Sequence, residues 1–201
     1  GFAHDLVREA ALGLVPPSWR AGLHAQLAEA MAARPQSDPA RVAEHWWAAA
    51  RWREAASALR EAAQRTRQAG RLETSEALLQ RAADAHDRSG DAEARFAALA
   101  EAAAAAMLRL SASDAAARLQ DLAPLARHPD EKARLALLQA EAAFNAAEFP
   151  QALRHSASAL ALASPGSAVA LDAEILHGHA LAIGGRTDEG VHRLQHAVES
   201  A

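Results

Sequence analysis

Apolar and polar residues follow one another along most of the chain with the three- to four-residue spacing of amphipathic helices. No stretch shows the two-residue alternation of a strand, and most apolar positions are Ala or Leu, the strongest helix formers. Turn and capping residues divide the chain into segments of about 12 to 18 residues, a usual length for helices in globular proteins. The pattern therefore predicts an all-α fold. Breaks are expected at Asp38-Pro39, Gly70, Gly90, Ser111 to Asp114, His128 to Asp130, Phe149-Pro150, Pro165 to Ser167 and Gly184-Gly185.

Three stretches share one register of small residues after a turn: AGRLETSEALLQRAADA, AAEFPQALRHSASALAL and GGRTDEGVHRLQHAVES. A weaker copy begins at Ser111, and the copies are about 40, 37 and 38 residues apart, within the range of helical solenoids. Small residues at fixed offsets allow antiparallel helices to approach closely. We expect about four helix pairs. The small positions are Ser75 and Ala82, Ala115 with the large Leu122, Ala152 and Ala159, and Gly190 and Ala197.

This register, together with Gly178 at the small position of the preceding helix, resembles the tetratricopeptide repeat. The resemblance covers roughly residues 52 to 201 and implies an antiparallel helix-pair solenoid. The chain departs from the family in its period, which exceeds ~34 residues, and in the absence of several signature aromatics.

In tetratricopeptide arrays the first helix of each pair lines a concave groove, and the resemblance assigns groove positions for a ligand or partner. The lining is mixed polar and apolar, and it lacks the Lys/Asn clamp of chaperone-binding versions, which argues against a cochaperone role. The alternative is a groove that packs on another domain of the same protein. The assigned positions are Arg60, Gln64, Arg67, Met107, Glu141, Phe144, Asn145, Ile175 and His179.

A second resemblance covers the beginning of the chain, in FAHDLVREAALGLVPPSWRAGLHAQLAEAM followed by PARVAEHWWAAARWREAASAL. This order of residues is similar to the end of the ATPase module in large ATP-binding LuxR-type transcriptional regulators, the signal-transduction ATPases with numerous domains. The matching residues are Phe2, His4, Leu6, Arg8, Glu9 and Ala10, then Pro16 and Pro17, then Arg20, Leu23, His24, Leu27 and Ala28, and then Ala43, Glu44, His45 and Trp46.

That resemblance implies that residues 1–36 are the remnant of a winged-helix module with its linking helices, and that residues 37–201 are the repeats. It implies that the chain is a piece of a larger protein whose ATPase module, with its ATP or ADP, lies upstream. In related ATPases a His near this point contacts the nucleotide phosphates, so His4 is a candidate nucleotide sensor. The alternative role of His4 is in helix capping or at the edge of a core.

Arginines recur on one face of the helix predicted from about Trp52 to Arg71. They follow the first at intervals of 7, 14 and 18 residues, so they lie within about 40° of one another on a helix that turns ~100° per residue. Such a ridge suits an acidic partner, a phosphorylated ligand or nucleic acid. The alternative is a solvated face paired with acids such as Glu54 and Glu61. The basic ridge consists of Arg53, Arg60, Arg67 and Arg71.

The sequence has no phosphate-binding Gly-x-x-x-x-Gly-Lys motif, no nucleophile elbow and no evident acid–base pair of carboxylates, so we expect no enzyme activity and no cofactor in this chain. Four histidines raise the alternative of a metal-dependent enzyme. Two of them, four residues apart, share one helix face, but the other two point to different sides of their helix, so we predict no metal site. They are His177, His179, His192 and His196.

Charge and composition argue against several further classes of function. The net charge is −4, which argues against a chain devoted to nucleic acid. With no Cys, disulfides and thiol chemistry are excluded, and no stretch approaches the ~18 apolar residues of a membrane span. We therefore expect a cytoplasmic protein without direct nucleic-acid or membrane contact.

Together these features predict the sensor or scaffold region of a bacterial ATP-dependent transcriptional regulator. It would bind a small-molecule inducer or a partner protein and relay binding to the neighbouring ATPase module of the same chain. Self-association through an apolar terminal face is a further expectation, since solenoids expose such faces when they lack capping repeats. The alternative is a stand-alone tetratricopeptide-like adaptor for protein–protein contacts.

Overall fold

The computed structural model describes residues 16–107 and 109–199, and these form ten α-helices, one short 3₁₀ turn and no strand. The all-α prediction is confirmed. Within these ranges no helix is both long and apolar enough to cross a membrane. The helices are α1 Pro17–Ala32, α2 Pro39–Ala48, α3 Trp52–Gln68, α4 Leu72–Arg88, α5 Ala92–Met107, α6 Ala112–Leu122, α7 Pro129–Asn145, α8 Phe149–Leu162, α9 Ala168–Ile183 and α10 Thr187–Glu199; the 3₁₀ turn is Ala123–Leu125.

The chain divides into two compact units, unit 1 (Gly1–Asp91) and unit 2 (Ala92–Ala201). In unit 1 each described helix packs on the next, and the most extensive contact is between α3 and α4. Its core combines buried alanines with Trp46 and Leu59. The division predicted between residues 36 and 37 lies in the connection between α1 and α2, and it stays a prediction.

In unit 2 the pairs α7–α8 and α9–α10 form close hairpins, α8 packs on α9, and α7 also contacts α9. The helices α5, α6 and α7 meet around a core that includes Phe96, Leu119 and Leu138. A second cluster joins α7, α8 and α9 through Leu137, Ala159 and Ala173. The predicted helix pairs therefore appear as α3–α4, α5–α6, α7–α8 and α9–α10.

Residues with positive φ end several of these helices. Gly70 and Gly90 both have φ of 74°, and in each case the next residue donates a backbone hydrogen bond across the turn, to the carbonyl of Thr66 or of His86. This six-residue closure is the Schellman motif, in which glycine is preferred because it has no Cβ. The predicted breaks at both glycines are confirmed.

The predicted register of small residues lies in the helix interfaces. Ser75, Ala82, Ala152, Ala159 and Ala197 are all buried. The Ser75 hydroxyl donates a hydrogen bond of 2.9 Å to the Ala63 carbonyl of the facing helix. The register thus marks where the two helices of a pair are closest.

Candidate functional site

The groove positions assigned to unit 2 lie on its first helices α7 and α9, which contact each other. Glu141, Phe144 and Ile175 are half-buried, whereas Asn145 and His179 are exposed. The structure therefore brings an acidic, an amide, an imidazole and two apolar side chains to two neighbouring helices. We call this set the α7–α9 face.

Glu141 is the most unusual group on the α7–α9 face. It makes no hydrogen bond or ion pair with any residue that the structure describes. Burial raises the pKa of its carboxyl above the ordinary 4.5, Arg134 opposes this shift, and the nearby Asp172 carboxylate adds to it. Arg134 has the larger of the two charge effects, so burial of the carboxyl is the main cause of the raised pKa, and groups perturbed in this way concentrate at binding sites.

Phe144 has a structural role as well as a position on this face. Its ring packs against the cluster of Ala143, Ala152 and Ala180 and meets the ring of Phe149 edge to face at 5.8 Å. Truncation of Phe144 would therefore disturb the α7–α8 hairpin, and Glu141 is the better residue for testing ligand binding.

Met107, the groove position on α5, is half-buried and packs against the core cluster formed by α5, α6 and α7. A long apolar side chain at the end of a helix serves equally well in a groove or a core, so its spacing alone does not separate the two.

The groove positions of unit 1 lie on α3, where Arg60, Gln64 and Arg67 are all exposed. Because they belong to the other unit, the structure does not join them to the α7–α9 face. Their assignment to a ligand-binding groove stays a prediction.

The basic ridge is shorter than predicted. Arg53, Arg60 and Arg67 lie on α3 and are exposed, but α3 ends at Gln68 and Gly70 reverses the chain, so Arg71 precedes α4 instead of extending the ridge. The acid Glu61 pairs with Arg65 at 2.7 Å, and Glu54 pairs with Arg51. Both of those arginines lie outside the predicted ridge.

Two clusters in unit 1 were not foreseen from the sequence. The guanidinium of Arg88 lies 5.2 Å from the ring centre of Trp47 and 4.8 Å from that of Trp52, and these two rings meet edge to face. These are cation–π contacts that join α2, α3 and α4. The clustering of Trp in the first third of the sequence was the only available signal.

The second cluster joins α1 to α2. The Nδ1 atoms of His24 and His45 are 2.8 Å apart, so one ring must donate and the other accept. Burial lowers the pKa of His45, and His24 and Arg41 add to this effect while Glu44 opposes it. Both histidines belong to the N-terminal resemblance, and their contact gives them a structural role.

The four late histidines do not converge. His177 is half-buried with its Nδ1 2.8 Å from the Ser156 hydroxyl on α8, whereas His179, His192 and His196 are exposed. Among the described residues no three His, Cys, Asp or Glu side chains are placed to hold a metal ion. His4 and the Phe2–Ala10 motif lie outside the described residues.

No family model matches this chain, and no curated protein matches its sequence. Among solved structures it is similar to the apo form of the quorum sensor NprR from B. thuringiensis, with a TM-score of 0.55 and 9% sequence identity. The match covers 98% of this chain and 69% of that one. At this identity the likeness shows the fold alone, a helical-repeat architecture.

Proposed function

We propose that this chain is the sensor region of a bacterial ATP-dependent transcriptional regulator in the cytoplasm. It binds an inducer or partner protein on the α7–α9 face and relays binding to an ATPase module of the same protein. The chain itself performs no catalysis and holds no cofactor. Nucleotide binding, with His4 as a sensor, and DNA binding belong to the parent protein.

The N-terminal resemblance supports the regulator assignment. Within that motif His24 of α1 contacts His45 of α2, and Ala43 and Trp46 of α2 are buried. The fold shared with a quorum sensor is compatible with a sensing role.

Glu141, half-buried and without a hydrogen bond or ion pair among the described residues, is the observation on which the placement of the ligand rests. Burial raises the pKa of its carboxyl, Arg134 partly offsets this and Asp172 adds to it, so a positively charged ligand would stabilise the ionised form of Glu141. Unit 2 contains thirteen Asp and Glu but nine Lys and Arg, whereas unit 1 has twelve of each. The charge of the whole unit therefore favours a cationic ligand as well.

Binding controls the ATPase only if the ligand binds one of two conformations of the sensor more tightly. A ligand with equal affinity for both conformations does not shift the equilibrium between them. The α7–α9 contact is suited to this role because Glu141 and Asp172 lie on α7 and α9, which belong to two different helix pairs. A ligand there would favour the arrangement in which those pairs are closest.

The test replaces Glu141 in the full-length regulator and measures transcription from its own promoter after addition of conditioned medium from the same bacterium. We expect Glu141→Gln to weaken the response by about tenfold, the loss of one charge-assisted hydrogen bond. Glu93→Gln, an exposed acid on the first helix α5, is the matched control and should respond normally. A normal response of Glu141→Gln would overturn this placement.

A further inference from the structure

Unit 2 contains a cleft of about 550 Å³ that is separate from the residues of the α7–α9 face. It lies between the second helices α6 and α8, with α7 beneath it. Its volume falls within the roughly 300–1,000 Å³ that is usual for small-ligand sites. Nothing in the proposed sensor function assigns a role to it.

The cleft has the length of a short peptide. Its lining along α8 begins at Glu148, directly before that helix, and ends at His155, and on α6 it runs from Ser113 to Gln120. Seven residues of helix rise about 10 Å, and an extended chain rises about 3.3 Å per residue. About three residues of extended peptide therefore match this length.

Part of the cleft lining is apolar. It is formed by Ala142 and Ala143 of α7, by Ala146 directly after that helix, and by Leu119 of α6. Because alanine methyl groups project little, a ligand backbone with small side chains can lie close to α7. Large side chains would have to point away from it.

The cleft is also lined by neutral hydrogen-bonding groups. Gln120, Gln139 and Gln151 line it, and none of their side-chain amides hydrogen-bonds to a residue that the structure describes. Burial, with a smaller effect of Arg154, lowers the pKa of His155, so its ring is uncharged at neutral pH. Glu148, at one end, is the one acid in the lining.

We propose that this cleft binds an uncharged, extended peptide segment of about three residues with small side chains. A carboxamide offers a donor and an acceptor side by side, which complements the alternating N–H and C=O groups of an extended backbone. A purely hydrophobic ligand would make no hydrogen bonds to these amides. A charged ligand would find no opposite charge among the glutamines.

The proposal is tested by NMR titration of the intact chain with N-acetyl-trialanine amide, following the side-chain amide signals of the cleft glutamines. We expect saturable shifts at Gln120, Gln139 and Gln151 with a dissociation constant on the order of 1 mM. The same peptide with three Asp residues should produce no saturable shift. Absence of shifts with the alanine peptide, or equal shifts with the Asp peptide, would overturn the proposal.

Substitution of the cleft glutamines by leucine tests whether their amides, and not only hydrophobic contacts, bind the peptide. Gln120→Leu and Gln151→Leu change exposed positions, so they should leave the fold intact, as circular dichroism would verify, and each should weaken binding about threefold to tenfold. Gln26→Leu, exposed on α1, is the matched control. Unchanged or tighter binding in the two cleft variants would contradict recognition by the amides. Because Glu141 lies outside the cleft lining, failure here leaves the proposed sensor function standing.

Discussion

Ala50 and Ala147 have left-handed backbones, with φ of 55° and 58°, at helix ends where glycine stands elsewhere in the chain. At Ala147 the following residue, Glu148, donates to the Ala143 carbonyl, as in the glycine-containing Schellman motifs. The surrounding helices impose a conformation that alanine adopts at a cost. These residues are therefore places where a single substitution should stabilise the protein.

Ala147→Gly should raise the free energy of unfolding by about 0.5–1 kcal/mol, because glycine adopts positive φ without a Cβ clash. The measurement is urea unfolding followed by circular dichroism. Ala146→Gly is the control: φ there is −81°, so the same substitution should lower stability by a similar amount through added flexibility of the unfolded chain. Equal effects of both substitutions would refute the explanation.

His86 is a second residue whose native environment is unfavourable. Neither ring nitrogen has a hydrogen-bond partner among the residues that the structure describes, and burial lowers the pKa of the ring below 6.5, with Asp91 opposing this shift and Arg60 adding to it. The unfolded chain then binds this proton at a higher pH than the folded chain. His86 therefore makes the free energy of unfolding fall as the pH decreases below 6.5.

His86→Leu should raise the free energy of unfolding at pH 7 by about 1 kcal/mol, because it removes buried unpaired nitrogen atoms. It should also reduce the loss of stability between pH 7 and pH 5. Urea unfolding at several pH values measures both effects. Gln80→Leu, an exposed position on the same helix, should change neither; an unaltered pH dependence in His86→Leu would contradict the assignment.

At the scale of helices, α9 and α10 approach closely at Gly190. A Cβ on Gly190 would lie 2.6 Å from the Ala182 nitrogen and 2.6 Å from the Gly178 oxygen. Both of these are backbone atoms, which cannot move aside as a flexible side chain can. The sequence register singled out Gly178 and Gly190 as small positions, and this contact is the physical reason for them.

Gly190→Ala should lower the free energy of unfolding by about 1–3 kcal/mol, since α9 and α10 must separate to accommodate the methyl group. Thermal and urea unfolding both measure this loss. Gly22→Ala on α1 meets no atom within 4 Å and should instead stabilise by about 0.5–1 kcal/mol. If Gly190→Ala is as stable as the wild type, the close packing of this hairpin is wrong.

The helix pairs could be predicted because their requirements are local. Gly70 and Gly90 mark turns, and Ser75 and Ala152 fill positions where no larger side chain fits. The turn at Ala50 was missed because alanine is also the most frequent residue inside these helices. Likewise, Met107 could not be assigned to a core or a groove from its spacing alone.

The candidate sites depend on contacts between helices that are distant in sequence, so less of them could be predicted. The tetratricopeptide register placed Glu141 on a first helix, but Asp172 carries no motif that would associate it with Glu141. Similarly, the cleft glutamines come from three helices, and no spacing relates Gln120 to Gln151.

At the scale of the whole molecule, the proposed function places recognition in unit 2, where the excess of acidic residues lies. A stand-alone adaptor would use the same surfaces but would require no ATPase module or DNA-binding domain. The regions that flank this sequence therefore distinguish the two functions.

The most direct measurement is to sequence the gene on both sides of the region that encodes this chain. The proposed function predicts one reading frame with a phosphate-binding Gly-x-x-x-x-Gly-Lys-Ser/Thr loop upstream and a helix-turn-helix downstream. A reading frame that begins near Phe2, with neither motif, would contradict it and would favour an adaptor that acts through its helical repeats alone.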